Sequence, residues 1–206
     1  MKWDRKEFKL IGQNGEIHDL GPHEFWYLAP AETNFQLHNA TVPPLDYAIL
    51  LHTARLGEGV VPPMRKLLEG LPRTTNKRGV AAQAEQLLED IRNIHFPDLP
   101  SRLRCHFLNF DRVVAECRSN SMFRRKRILT PCYTILTDSS FHFADVEIYE
   151  RLEGSPDDAA LAKTYWGTFI PANSTQASSL EVLADCALYF PEWRSFPNLE
   201  EVSSTK

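Results

Sequence analysis

The run Leu180-Glu181-Val182-Leu183-Ala184-Asp185-Cys186-Ala187-Leu188-Tyr189-Phe190 decides the fold. Leu180, Val182, Ala184, Cys186, Leu188 and Phe190 fall on one side of an extended chain, and Glu181, Leu183, Asp185, Ala187 and Tyr189 on the other. This period of two predicts a central strand. Working back, Ser155, Pro156 and Asp158 give the cap, first-turn proline and early acid of a helix that delivers Tyr165 and Trp166 to its end, where Gly167 stops it. Before it, strands are expected around Tyr133–Leu136 and Phe141–Leu152, joined as a hairpin through Asp138-Ser139-Ser140. In the longer one, Ala144, Val146, Ile148 and Leu152 make the core face.

Further back, Val80–His95 is the clearest helix. Ala84, Leu87, Leu88, Ile91 and Ile94 form its apolar stripe, with Glu85, Glu89 and Arg92 placed away from it. Pro97 and Pro100 then force an extended path into a strand in which Leu103, Cys105 and Phe107 alternate with Arg104 and His106, and Asp111 is set to cap a helix over 112–118. A strand is expected at Glu24–Ala29, helices at Leu45–Leu56 and Pro63–Glu69, and a mobile basic loop at Arg73–Gly79. Residues 1–23 read as an arm or hairpin and 195–206 as a frayed tail. Regular βαβ alternation is absent, so the expected class is α+β, a mixed, mostly antiparallel sheet with packed helices.

The 206 residues suit one domain, and 43% hydrophobic with 24% charged residues exclude a disordered chain. No apolar run approaches the roughly 18 residues of a membrane span, and the charged N-terminal residues lack a secretion signal, so a cytoplasmic protein without membrane contact is expected. A net charge of −4 gives no global attraction to nucleic acid. Cys105, Cys117, Cys132 and Cys186 are scattered like reduced apolar residues, and neither C-x-x-C nor H-x-x-x-H occurs, so no metal site is expected. The nine glycines build neither a Rossmann fingerprint nor a P-loop, and G-x-S-x-G is missing.

Three clusters carry potential chemistry. Ser101 and Arg102 sit behind the Pro97–Pro100 turn, where a guanidinium fork can meet a pyrophosphate or form a salt bridge. Tyr165 and Trp166 offer rings to a flat ligand or to the core. Glu181 is an acid at the opening of an apolar strand; solvated in the plain case, in a cleft it can orient a ribose hydroxyl and stabilise a cationic sugar-like transition state. The basic run Arg124–Arg127, together with Arg73, Lys77 and Arg78, could grip the phosphates of a nucleic acid or a nucleotide, or be a solvated loop.

The succession Ile91-Arg92, Phe96-Pro97, Pro100-Ser101-Arg102-Leu103, His142 and Asp145, Ala162 with Tyr165-Trp166-Gly167, then Glu181-Val182-Leu183 resembles a bacterial family of uncharacterised domains that looks like a distant branch of the ADP-ribosyltransferase fold. The resemblance spans roughly residues 24–190. It implies NAD as substrate, with ADP-ribosyl transfer to a protein or nucleic-acid acceptor or to water, as in toxins and effectors. It casts Glu181 as the late-strand catalytic acid, Ser101 and Arg102 as phosphate or ribose contacts, and Tyr27, Tyr165 and Trp166 as the nicotinamide pocket. Where the family carries a first-strand His or Arg, this chain has Tyr27-Leu28-Ala29. An inactive member serving as a ligand-binding or protein-interaction module, and a nucleic-acid-binding domain, are the alternatives.

Overall fold

The computed structural model describes residues 2–4, 9–11, 17–30, 59–70, 77–122, 127–167 and 180–193. The helix expected at Leu45–Leu56, the first part of the basic loop, the run 123–126 and the tail lie outside them. The fold is mixed α+β, with antiparallel sheets and packed helices. The chain separates into two compact units: Met1–Pro62, Arg112–Thr137 and Ala187–Lys206 form the first, Pro63–Asp111 and Asp138–Cys186 the second.

In the first unit, β1 (Lys2–Asp4), β2 (Lys9–Ile11) and β3 (Ile17–Asp19) form an antiparallel meander. A second sheet runs β4 (Phe25–Pro30), β7 (Arg127–Thr134), β10 (Leu188–Tyr189), β5 (Val60–Val61). Leu20, Tyr133, Ile135 and Tyr189 pack together in its core. Gly21 donates its N–H to Thr134 O (2.7 Å), an approach so close that a Cβ would strike the Thr134 hydroxyl. Helix α3 (Arg112–Met122) also belongs to this unit, with the Arg112 guanidinium 5.1 Å from the Trp26 ring centre.

The second unit centres on β9 (Leu180–Asp185), flanked by β6 (His106–Leu108) and β8 (Ser140–Asp145), all antiparallel. A short α1 (Met64–Leu67) opens the unit. Helices α2 (Val80–His95), α4 (Val146–Gly154) and α5 (Ala159–Gly167) share one core with Leu183, Ala144 and Cys105. Ala84, Leu88 and Ile91 bury one side of α2 at i, i+4 and i+7, and complete burial of a leucine such as Leu88 is worth about 1.5–3 kcal/mol. Phe96 N–H closes that helix on Arg92 O (2.8 Å) just before Pro97.

Several expected elements are redrawn. The single strand Leu180–Phe190 divides at Cys186-Ala187, giving β9 to one sheet and β10 to another. No hairpin forms through Asp138–Ser140, because β7 pairs with β4 and β10 whereas β8 pairs with β9; Asp138, at φ 54°, turns the chain away. The strand expected to reach Leu152 ends at Asp145, whose side chain accepts from Glu147 N–H (2.9 Å) and caps α4. Tyr149 and Leu152 then bury on helical spacing, which a period of two cannot separate from a strand over so few residues. Asp158, not Ser155, caps α5, accepting from Leu161 N–H (2.8 Å). The Leu103 strand starts late: Ser101 Oγ accepts from Leu103 N–H and winds Arg102–Arg104 into a 3-10 turn. Cys105 is buried as expected, but the faces exchange after it, with His106 buried and Phe107 39% exposed. Among the described residues no helix is long and apolar enough to cross a membrane.

Candidate functional site

Glu181 enters β9 pointing to the face covered by helices, since it pairs with Ala144 and shares a side with Leu183, both members of the helix core. There it meets two donors on the same oxygen. Tyr165, in the last turns of α5, donates its hydroxyl to Glu181 Oε1 at 2.6 Å, and Arg102 reaches that oxygen through Nη1 while also contacting the Tyr165 hydroxyl. The other edge of the Arg102 fork belongs to Glu85 of α2, with Nε to Oε2 at 3.1 Å and Nη2 to Oε1 at 3.3 Å. Above the guanidinium lies the Tyr149 ring of α4, 4.3 Å from its carbon, and Phe107 approaches at 5.0 Å. Lys77 completes the group, pairing with Glu85 Oε1 at 3.3 Å and contacting the Tyr149 hydroxyl.

Arg102 and Glu85 are buried and Glu181 is 9% exposed, so the electrostatics act with little screening. Burial opposes the Arg102 charge, but the Glu181 and Glu85 carboxylates outweigh it and push its pKa well up. Burial likewise opposes ionisation of Glu85, and Arg102 and Lys77 reverse that, holding its carboxyl below the ordinary range. The Tyr165 and Tyr149 hydroxyls are driven up, chiefly by burial, and stay protonated; Tyr165 donates to Glu181, whereas Tyr149 accepts from Lys77. Burial also raises the Cys105 thiol, which removes it as a nucleophile. With two carboxylates and two cations, Glu85, Glu181, Arg102 and Lys77 sum to no net charge.

Three sequence candidates therefore converge: Glu181, Arg102 and Tyr165. Ser101, next to Arg102 in sequence, turns elsewhere and donates to Glu89 Oε2 (2.8 Å). Trp166 is buried with its indole N–H on Leu88 O (2.8 Å), so it closes the core. Tyr27 belongs to the first unit, buried edge-on against Phe190 with ring centres 5.7 Å apart. The sequence reading missed Glu85 and Tyr149, and it placed Lys77 in a basic cluster for phosphates, whereas Lys77 pairs with Glu85. Glu85 and Glu89, placed on the outer side of α2, are each only 4% exposed and Arg92 6%. Their own spacing of four and three residues follows the Ala84-Leu88-Ile91 stripe one position on, a signal that the buried face was wider.

A separate cleft of about 390 Å³ opens beside Ser101, bordered by Arg65, Arg92, Arg104, Ser140 and Asp185. Its arginines are engaged: Arg65 with Asp185 (2.6 Å) and Asp138, Arg92 with Glu89 (2.9 Å), and Arg104 with Leu68 O (3.0 Å). Among the described residues no cluster of three His, Cys, Asp or Glu is arranged to hold a metal ion. No family model matches the chain, and no curated protein matches it in sequence.

Proposed function

We propose that the chain is an NAD-using protein of the ADP-ribosyltransferase type, with Glu181 as the acid that acts on the nicotinamide ribose. The observation that carries this reading is the convergence of Glu181, Arg102 and Tyr165 on one carboxylate oxygen from three separate elements. In the proposed reaction the bond between nicotinamide nitrogen and ribose carbon breaks, its electron pair leaves with neutral nicotinamide, and the Glu181 carboxylate stabilises the positive sugar. Water or an acceptor nucleophile then bonds to that carbon and loses its proton to solvent. Arg102 takes a different part from the phosphate contact that the resemblance implies, because its fork is filled by Glu85 and Glu181; it orients the acid. Ser101, the other phosphate contact that the resemblance implies, borders the neighbouring cleft with its hydroxyl proton already given to Glu89.

One observation favours a second reading, a module without NAD turnover: Tyr165 and Trp166 are buried and leave no surface on which nicotinamide could stack. Incubation with NAD and measurement of free nicotinamide separates the two. Release by wild type, reduced by about a hundredfold or more in Glu181→Gln of matched fold, supports the transferase reading. NAD binding with no release, in the presence or absence of cell extract as acceptor, supports the binding module.

A further inference from the structure

The Arg102 fork is divided in a way that assigns work to residues outside the proposed reacting centre. Its Nε and Nη2 edge is taken side-on by both oxygens of Glu85, and only Nη1 is left to meet Glu181 and the Tyr165 hydroxyl. Glu85 is itself shared, since its Oε1 also receives Lys77 at 3.3 Å. Lys77 lies 4.2 Å from the centre of the Tyr149 ring, contacts the hydroxyl of that ring and reaches Glu153 at 3.4 Å. Arg102 covers the same ring at 4.3 Å. Every other member of the chain from Glu85 to Glu181 is buried, whereas the Lys77 side chain is 40% exposed.

We propose that Glu85 is the positioning residue of this site and Lys77 its solvent-facing control: Glu85 fixes the Arg102 fork so that Nη1 meets Glu181, and Lys77 offsets the second carboxylate so that Glu85 does not draw the fork away. The role of the fork in NAD chemistry rests on the function proposed above; the geometric coupling does not. Without Lys77 the group holds two carboxylates against one guanidinium, and Glu85 and Glu181 compete for it. Any modification that neutralises the exposed amine, acylation included, would act through the same competition.

The test is the guanidinium Nε–H resonance of Arg102 in nitrogen-15 spectra of the whole chain, assigned by its loss in Arg102→Lys, recorded together with nicotinamide release. Lys77→Gln, altering a side chain that is not buried, is expected to shift and broaden that resonance, and Lys77→Arg to restore it. If wild type consumes NAD, kcat in Lys77→Gln falls severalfold with KM little changed, and in Glu85→Gln about tenfold or more. An inert wild type with a shifted Arg102 resonance keeps the positioning role and removes the NAD chemistry. An Arg102 resonance unchanged in Lys77→Gln overturns the proposal whatever the activity, and does so even if Glu85→Gln fails to fold.

Discussion

Two arginines in the second unit are buried to the same degree, 6% exposed each, yet they are held by opposite kinds of partner. Arg92 is tied locally. It pairs with Glu89 three residues back and donates to Pro97 O (3.2 Å) and Leu99 O (3.1 Å), stapling the end of α2 to the turn that follows. Arg102 is tied across the unit, to Glu85, Tyr165 and Glu181 at sequence separations of 17, 63 and 79. A local clamp shapes one turn. A distant one must wait for α2, α5 and β9 to assemble, and it then joins all three.

The contrast can be broken by removing each cation in turn. Arg102→Met leaves Glu85 and Glu181 buried with Lys77 as the one remaining cation, and should cost about 3–5 kcal/mol. The expected result is a large drop in the urea midpoint with an unchanged slope. Arg92→Met should cost less, about 1.5–3 kcal/mol, for two reasons. Glu89 keeps the Ser101 hydroxyl, and Pro97, whose carbonyl is released, lies on an exposed stretch that water reaches. Equal losses for the two variants would mean that the long-range group adds nothing beyond burial of one more charge.

The same contrast accounts for what the sequence disclosed. The bounds of helix α2 were readable to the residue because Ala84, Leu88 and Ile91 repeat within the helix itself, although Ile94, placed on the same stripe, is 70% exposed. The central place of β9 was readable too, from the period of two in its apolar residues. Its end was not. Nothing local at Cys186-Ala187 marks a change of sheet; that choice is made by β5 and β7, which pair with β10 from far along the chain. The strand-to-helix passage at Asp145 was hidden for a different reason, because apolar residues at 144, 146, 148 and 152 satisfy a strand template while 149 and 152 satisfy a helical one. Of the site, Glu181, Arg102 and Tyr165 were singled out through residue type and resemblance, but their meeting rests on tertiary contacts. Glu85 was assigned outward because a carboxylate on a helix is usually solvated, and only its pairing with Arg102 makes burial tolerable.

His142 offers the smallest and most selective way to sharpen the comparison. Its ring packs 5.1 Å from Trp166 and 5.8 Å from Tyr165, with Nε2 3.1 Å from Tyr165 O. Burial lowers its pKa below the ordinary 6.5, and of the charges that reach it Glu181 pushes the value up while Arg102 pushes it down. The folded value thus lies below the unfolded one. His142 therefore contributes stability that is present above pH 6.5 and is lost as pH falls through the lower folded value, because the unfolded chain takes up the proton first. Proton NMR of the His142 ring reads the midpoint directly. Glu181→Gln should lower it further and Arg102→Met should raise it, each in a chain shown to remain folded. Arg92→Met should leave it in place, since the charges that reach His142 belong to the long-range group alone. Movement of the His142 midpoint in Arg92→Met would show that the two arginine groups are one electrostatic unit, and the distinction between a local clamp and a distant one would fall with it.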